Sequence, residues 1–199
     1  MLNAVRVCVA IPNGGTIKSR LMTDLVAALF SVRDQISFLW AETEGTLGPH
    51  NRWLAAMQAV EAEADYLWLV DNDMSIPPTA LPMLIAADKD LIGADYNYRK
   101  WPRQTVVKQL DDEGNITFAD EAQFPPEPFI CHAIGSGCKL VKVSALKRIP
   151  QPWFALEWDA RGALSKTDDV WFCEQAAKAG IETWCYPNLG IFHIGDFLY

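Results

Sequence analysis

Asp65-Tyr66-Leu67-Trp68-Leu69-Val70-Asp71-Asn72-Asp73-Met74 is the stretch from which the rest of the chain can be read. Residues 66–70 form an apolar run, long enough to cross a buried sheet and too short for a typical helix, so they read as a central strand. The run stops at two carboxylates separated by one residue. In open α/β sheets the carboxyl edge of the strands is where ligands bind. Asp71 and Asp73 repel each other, and beside an apolar strand they cost stability unless a cation offsets their charge. They are therefore candidate ligands for a hard metal that holds a phosphorylated molecule. A plainer reading, a cap for a helix opening near Pro77 and Pro78, fits the same residues.

Toward the N-terminus, residues 5–11 read as a strand, followed by Pro12-Asn13-Gly14-Gly15-Thr16 and a helix over 17–32. A glycine-rich turn between strand and helix lets backbone N–H groups approach a phosphate or a base, which makes Pro12 and Asn13 candidate contacts; a plain turn with Thr16 as cap is the other reading. Residues 36–40 read as a second strand ending in Ala41-Glu42-Thr43-Glu44-Gly45. Glu42, just past that strand, is placed to accept hydrogen bonds from a nucleoside, or is simply part of an exposed acidic loop. Over 49–63 the positions Trp53, Leu54, Met57 and Val60 recur at helical spacing. That helix opens with His50, Asn51 and Arg52, and an N-terminus that presents an arginine suits a diphosphate. A helix over 78–87 and a strand over 90–94 complete a βαβαβαβ order, which predicts mainly parallel pairing.

After Tyr96 the pattern changes. Residues 105–110 and 116–118 flank Asp111-Asp112-Glu113-Gly114-Asn115 and read as a hairpin. Residues 119–128 carry three prolines and three acids, so an extended surface loop is expected there, placed as a lid over the site. Gly135-Ser136-Gly137 lies between strand-like runs 130–134 and 138–143, which marks a close backbone approach to a sugar ring or to a neighbouring strand. A short helix over 143–148 follows. Trp153-Phe154-Ala155-Leu156-Glu157-Trp158-Asp159 suits either sugar stacking or core packing. Thr167 reads as the N-cap of a helix running to about 179, with Asp168 and Asp169 in its first turn and Gly180 as the stop. A strand over 183–186 and a segment over 188–194 that carries His193 finish the chain.

Half of the 199 residues are hydrophobic, enough for one domain with a sizeable core. A net charge of -8 disfavours tight non-specific binding to nucleic acid or an anionic membrane, without excluding a local basic groove. No leader and no apolar run of bilayer length are visible, so a cytoplasmic protein is expected. The five cysteines show no Cys-x-x-Cys pair and no Cys/His cluster, which predicts free, mostly buried thiols.

Taken in order, these features resemble the nucleotide-sugar-dependent glycosyltransferases of GT-A fold, family 2 members in particular. The elements that carry the likeness are a strand ending in Asp71-Asn72-Asp73, the later acidic pair Asp168-Asp169 at a helix start, and the late His193. Residues 76–96 and 135–193 also look like the mannan-polymerase type mannosyltransferases. The resemblance implies a single GT-A (Rossmann-like) α/β domain over 1–199, with a nucleotide-binding half (1–100) and an acceptor-binding half (101–199). It implies that Asp71, Asp73 and His193 hold Mn2+ or Mg2+ against the diphosphate of a UDP- or GDP-linked sugar. The histidine tilts the preference toward Mn2+. Pro12, Asn13, Glu42, Asn51, Arg52, Asp71, Asn72, Gly135, Ser136 and Gly137 become donor contacts, with Asp168 and Asp169 catalytic. In inverting members the second acid of the late pair is the general base toward the acceptor hydroxyl, here Asp169; retaining members lack that base, so the stereochemical course stays open. The 12–20 loop and the His50-Asn51-Arg52 order depart from the family 2 pattern. Homo-oligomerisation is compatible with it. The rivals are a sugar-phosphate nucleotidylyltransferase, a phosphohydrolase with Asp71 as nucleophile, and a non-catalytic sugar- or nucleotide-binding module.

Overall fold

The computed structural model describes residues 4–41 and 43–195. β1 (Val5–Ala10) leads into α1 (Ser19–Val32), and β2 (Ile36–Ala41) into α2 (Gly48–Glu61). β3 (Tyr66–Val70) is followed by the two-residue β4 (Met74–Ser75), α3 (Ala80–Ala86) and β5 (Leu91–Ala94). A hairpin of β6 (Lys108–Leu110) and β7 (Ile116–Phe118) comes next, then β8 (Phe129–Cys131), β9 (Cys138–Lys142) and the single turn α4 (Val143–Leu146). A second hairpin, β10 (Glu157–Trp158) with β11 (Leu164–Lys166), precedes α5 (Asp168–Lys178), β12 (Thr183–Tyr186) and β13 (Phe192–His193).

Seven strands form one sheet in the order β2-β1-β3-β9-β5-β12-β8. Alternating side chains of its strands feed two cores. Val7, Val9, Trp68 and Val70 meet Leu21 and Leu25 of α1 and Leu81 and Leu84 of α3 on one face. Cys8, Ala10, Leu67 and Leu69 meet Ala55, Ala56 and Ala59 of α2 and Phe172 and Ala176 of α5 on the other. With both faces covered, the strands need continuous apolar runs, and this is the Rossmann-like layering. The five cysteines are all free and buried. Among the described residues, no helix is long and apolar enough to cross a membrane.

The parallel run is interrupted. β2, β1 and β3 pair in parallel, as do β5 and β12, but β9 enters between β3 and β5 antiparallel to both. β8 is antiparallel on the far edge. The β3-α3-β5 unit therefore straddles another strand instead of making neighbours, because β9 is buried along Cys138–Val141 and fills a central slot. A local pattern reports that a strand is covered, not which strands cover it.

Two other expectations change, and the choice between sugar stacking and core packing for 153–154 is decided. The 105–110 run pairs with β7 only from Lys108, Thr105 bridging Asn97 instead, while Val106 and Val107 turn into the core. The 119–128 loop contains a 3-10 turn (Glu121–Gln123) that Asp120 caps, and Phe124 packs on Phe129 at 4.9 Å between ring centroids. Its Glu127 and Pro128 border a hollow with Trp184 and Tyr186, and none of residues 119–128 lines the cleft that holds Asp71 and His193. Trp153 and Phe154 are core residues, with Phe154 stacked on Phe172 at 4.8 Å.

Asp95, directly after β5, accepts a hydrogen bond from Thr105 Oγ1 at 2.5 Å. Burial pushes its carboxyl up to about 6, against the smaller downward pull of that bond. Between pH 4 and 6 the folded chain thus holds a proton that the unfolded chain releases, so this group's contribution favours folding more as pH falls through that window. An Asp95→Asn variant is expected to be more stable at pH 7 by about 2 kcal/mol. Its gain should vanish near pH 4, as read from urea denaturation at both pH values.

Candidate functional site

The parallel strands β2, β1 and β3 deliver their following loops to one edge, and buried side chains lock those loops together. Asn51, 2% exposed, donates from Nδ2 to the carbonyls of Asn13 and Gly45, each at 3.0 Å. Asn72 Nδ2 donates to Thr16 O at 2.6 Å, and its own carbonyl accepts from the Lys18 N–H. Asn13 ties back to Ile11 and Thr43 through Nδ2 and receives the Gly15 N–H on Oδ1. These three residues, expected to touch a ligand, shape the loops first. Pro12 is buried beside them, and Glu42 lies outside the described residues.

Beyond the lock is a cleft of about 470 Å³ whose lining includes Arg52, Asp71, Tyr96, Tyr98, Arg99, Ser136, Asp168, Asp169 and His193. Arg52 is its centre. Nη2 donates to Asp71 Oδ1 and Nη1 to Asp168 Oδ2, both at 2.7 Å, joining α2, the end of β3 and the start of α5. Burial works against the guanidinium's charge, but the two carboxylates and their hydrogen bonds outweigh it and hold Arg52 protonated more firmly than usual. Its buried Nε has no partner among the described residues.

Asp73 does not line the cleft itself but pairs with two residues that do. Its Oδ2 pairs with Arg99 at 3.0 Å, and its Oδ1 is 4.0 Å from His193 Nε2. His193 reaches that place because β13 pairs with β4, setting it opposite Met74. His193 Nδ1 lies 2.6 Å from Asn97 O, a carbonyl that can only accept, so Nδ1 donates and Nε2 is the ring nitrogen toward Asp73. The gap between oxygen and nitrogen is close to twice a metal–ligand bond of about 2.1 Å. The donor chemistry therefore fits one divalent cation between Asp73 and His193. No group of three or more His, Cys, Asp or Glu residues converges for a metal among the described residues, so further ligands would be phosphate oxygens and water, the usual arrangement for Mg2+.

Asp169 also faces the cleft. Its Oδ1 accepts from the Thr167 hydroxyl and from the Val170 N–H, leaving Oδ2 without a protein partner among the described residues. Thr167 does occupy the N-cap position of α5, yet its side chain serves Asp169 instead of a helix N–H.

Gly135 and Gly137 answer a different need from the sugar contact considered above. A Cβ on either would fall 2.4 or 2.6 Å from Tyr96 Oη, and the Gly137 N–H donates to that oxygen at 2.7 Å. The close neighbour is the chain's own tyrosine. Ser136 between them does line the cleft, and it accepts from Lys139 Nζ at 3.1 Å. Lys139 is fully buried, with Cys173 Sγ at 3.8 Å and the Phe172 ring beneath it. With Lys139 donating to Ser136, the serine's own proton is free to point into the cleft. Sequence reading missed Tyr96, Tyr98, Arg99 and Lys139. The signal for the first three was the acid-free run of aromatic and basic residues from Tyr96 to Arg103; a lysine inside an apolar strand was the signal for the last.

A second cleft of about 630 Å³ opens beside the first loops, lined by Ile11, Asn13, Ile17, Met22, Trp40, Ala41, Thr43 and Glu44. Trp40 is half exposed there.

No family model matches the chain, and no curated protein matches it. Among solved structures it is similar to one titled "Crystal Structure of A197 from STIV", with a TM-score of 0.61 and 20% sequence identity, over 96% of this chain and 87% of that one. At that identity the likeness is one of fold, and the chain is a single α/β domain with Rossmann-like layering.

Proposed function

We propose that the protein is a metal-dependent glycosyltransferase that moves a sugar from a nucleoside-diphosphate sugar to an acceptor hydroxyl. The observation that carries this reading is the convergence of Asp71, Arg52, the Asp168-Asp169 pair and His193 on one cleft at the sheet's ligand edge, with Asp73 4.0 Å behind His193. The nucleoside would sit in the Trp40 cleft, where an aromatic face and the polar Asn13, Thr43 and Glu44 suit a base and ribose. The diphosphate would then pass Asn72 and meet Arg52 at the start of α2, with 1–100 as the donor half and 101–199 supplying most of the acceptor side. Asp73 and His193 would hold Mn2+ or Mg2+, which when bound neutralises the charge of the leaving diphosphate. Asp169, held by Thr167 with one oxygen free, would take the acceptor's proton in an inverting reaction. Asp168 would keep Arg52 in place.

The test is slow donor hydrolysis across a panel of UDP- and GDP-sugars with and without Mn2+. Turnover of at least one donor only with metal is expected. Calorimetry on Asp73→Ala should show metal-dependent nucleotide binding weakened more than about 100-fold, or about 2.7 kcal/mol. Binding that is the same with and without metal, or unchanged in this variant, removes the metal-assisted reading.

A further inference from the structure

The chain is acidic overall, with 25 Asp and Glu against 17 Lys and Arg. One segment inverts that balance: residues 96–110 contain Arg99, Lys100, Arg103 and Lys108 and no carboxylate. Tyr98, Arg99 and Lys100 line the main cleft on the side of Asp169. Lys108 Nζ lies 3.0 Å from the centroid of the Phe118 ring and 5.2 Å from that of Tyr98. Lys100 Nζ approaches the same two rings at 5.1 and 5.4 Å. Tyr98 and Phe118 meet edge to face, so two ammonium groups share one aromatic pair. Among the described residues, neither lysine nor Arg103 has a carboxylate within 4.0 Å, whereas Arg99 is held by Asp73. Trp101 stands beside them, 81% exposed.

Two like charges brought together with no carboxylate in ion-pair contact cost free energy, which a bound anion relieves. A single carboxylate neutralises one of them; a phosphate dianion, or neighbouring phosphodiesters, neutralises both. An exposed indole flanked by cations adds a flat face for a ring on the same molecule. We propose that the rim formed by Tyr98, Lys100, Trp101, Arg103, Lys108 and Phe118 is a binding site for a phosphate-bearing acceptor, beside Asp169. That this molecule is the acceptor rests on the glycosyl-transfer reading; that the rim binds phosphate does not. Burial brings the Lys108 ammonium down to about 8, with Asp169 pulling it up and Lys100 pushing it further down.

The phosphate can belong to a phosphodiester strand or to a phosphomonoester sugar, and binding assays without donor or metal separate the two. The probes are a fluorescent ten-residue oligothymidylate, and glucose 6-phosphate against glucose. The rim is expected to bind at least one phosphorylated probe, and Lys100→Gln/Lys108→Gln to weaken it at least tenfold. The control Lys147→Gln/Lys178→Gln, with the same charge change on exposed sites away from the cleft, should bind as the parent does. For the oligothymidylate, log K should fall with log salt at a slope of about -2 for three contacting cations, and about -0.7 in the double variant. Oligothymidylate binding identifies a strand and glucose 6-phosphate binding alone identifies a phosphomonoester; either supports the site. Thermal melts check that both variants are folded. Absence of binding of both probes to the parent at millimolar concentration, equal binding of glucose and its phosphate without any strand binding, or equal losses in the rim and control variants would each overturn the proposal. Donor hydrolysis would stand in every case.

Discussion

An Arg52→Met variant is expected to lose about 3–5 kcal/mol of folding stability, the cost of removing one partner from a buried charge network. Among the described residues the guanidinium alone bridges Asp71 and Asp168, and its side chain is only 14% exposed. Without it two carboxylates face one another across a poorly solvated gap. Methionine keeps the packing volume, so the loss isolates the charge. Arg52→Lys should fall between the two, because an ammonium keeps the charge but cannot fork to two carboxylates in one plane. Adding Asp168→Asn to Arg52→Met should recover part of the loss. Urea denaturation followed by tryptophan fluorescence gives the values; a loss below 1 kcal/mol with an unchanged m-value would mean that the triad is solvated and structurally idle.

Transfer to an acceptor by Asp169→Asn is expected to drop about 10²- to 10⁴-fold, the range for losing a general base. Nucleotide binding and donor hydrolysis without acceptor should change far less, since Asp169 makes none of the contacts proposed for the diphosphate. The amide oxygen can still accept from Thr167 and Val170, so the side chain stays in place and only its basicity is lost. Initial rates of transfer against donor affinity separate the two effects. A loss smaller than tenfold would take Asp169 out of the base role and favour a retaining course on the same scaffold.

One-dimensional information stops at particular residues of this chain. Asp71 and Asp73 were recognisable because an apolar strand ending in paired acids is a costly arrangement that needs an explanation nearby. Arg52 was recognisable from its place at a helix start. Its simultaneous bonds to Asp71 and Asp168 were not, because Asp168 lies 116 residues away in the chain. The glycines of Gly135-Ser136-Gly137 were correctly read as a close approach, but the approaching group, Tyr96, comes from a different part of the chain. The 119–128 loop has a lid's composition, and composition carries no position. The segment that does border the cleft, around Tyr98 to Lys100, is short and has no regular period.

By itself the sequence determined the α/β layering, the strand that carries Asp71 and Asp73 to the ligand edge, and the loops that precede α1 and α2. Those depend on local patterns: apolar runs of strand length, helical spacing, and turn residues between them. Tertiary structure alone decided that β9 separates β3 from β5, that β13 lies on β4 and turns His193 toward Asp73, and that Arg52 joins three elements. Strand order and side-chain convergence arise from burying both faces of the sheet at once, a condition on the whole chain that no short window of residues expresses.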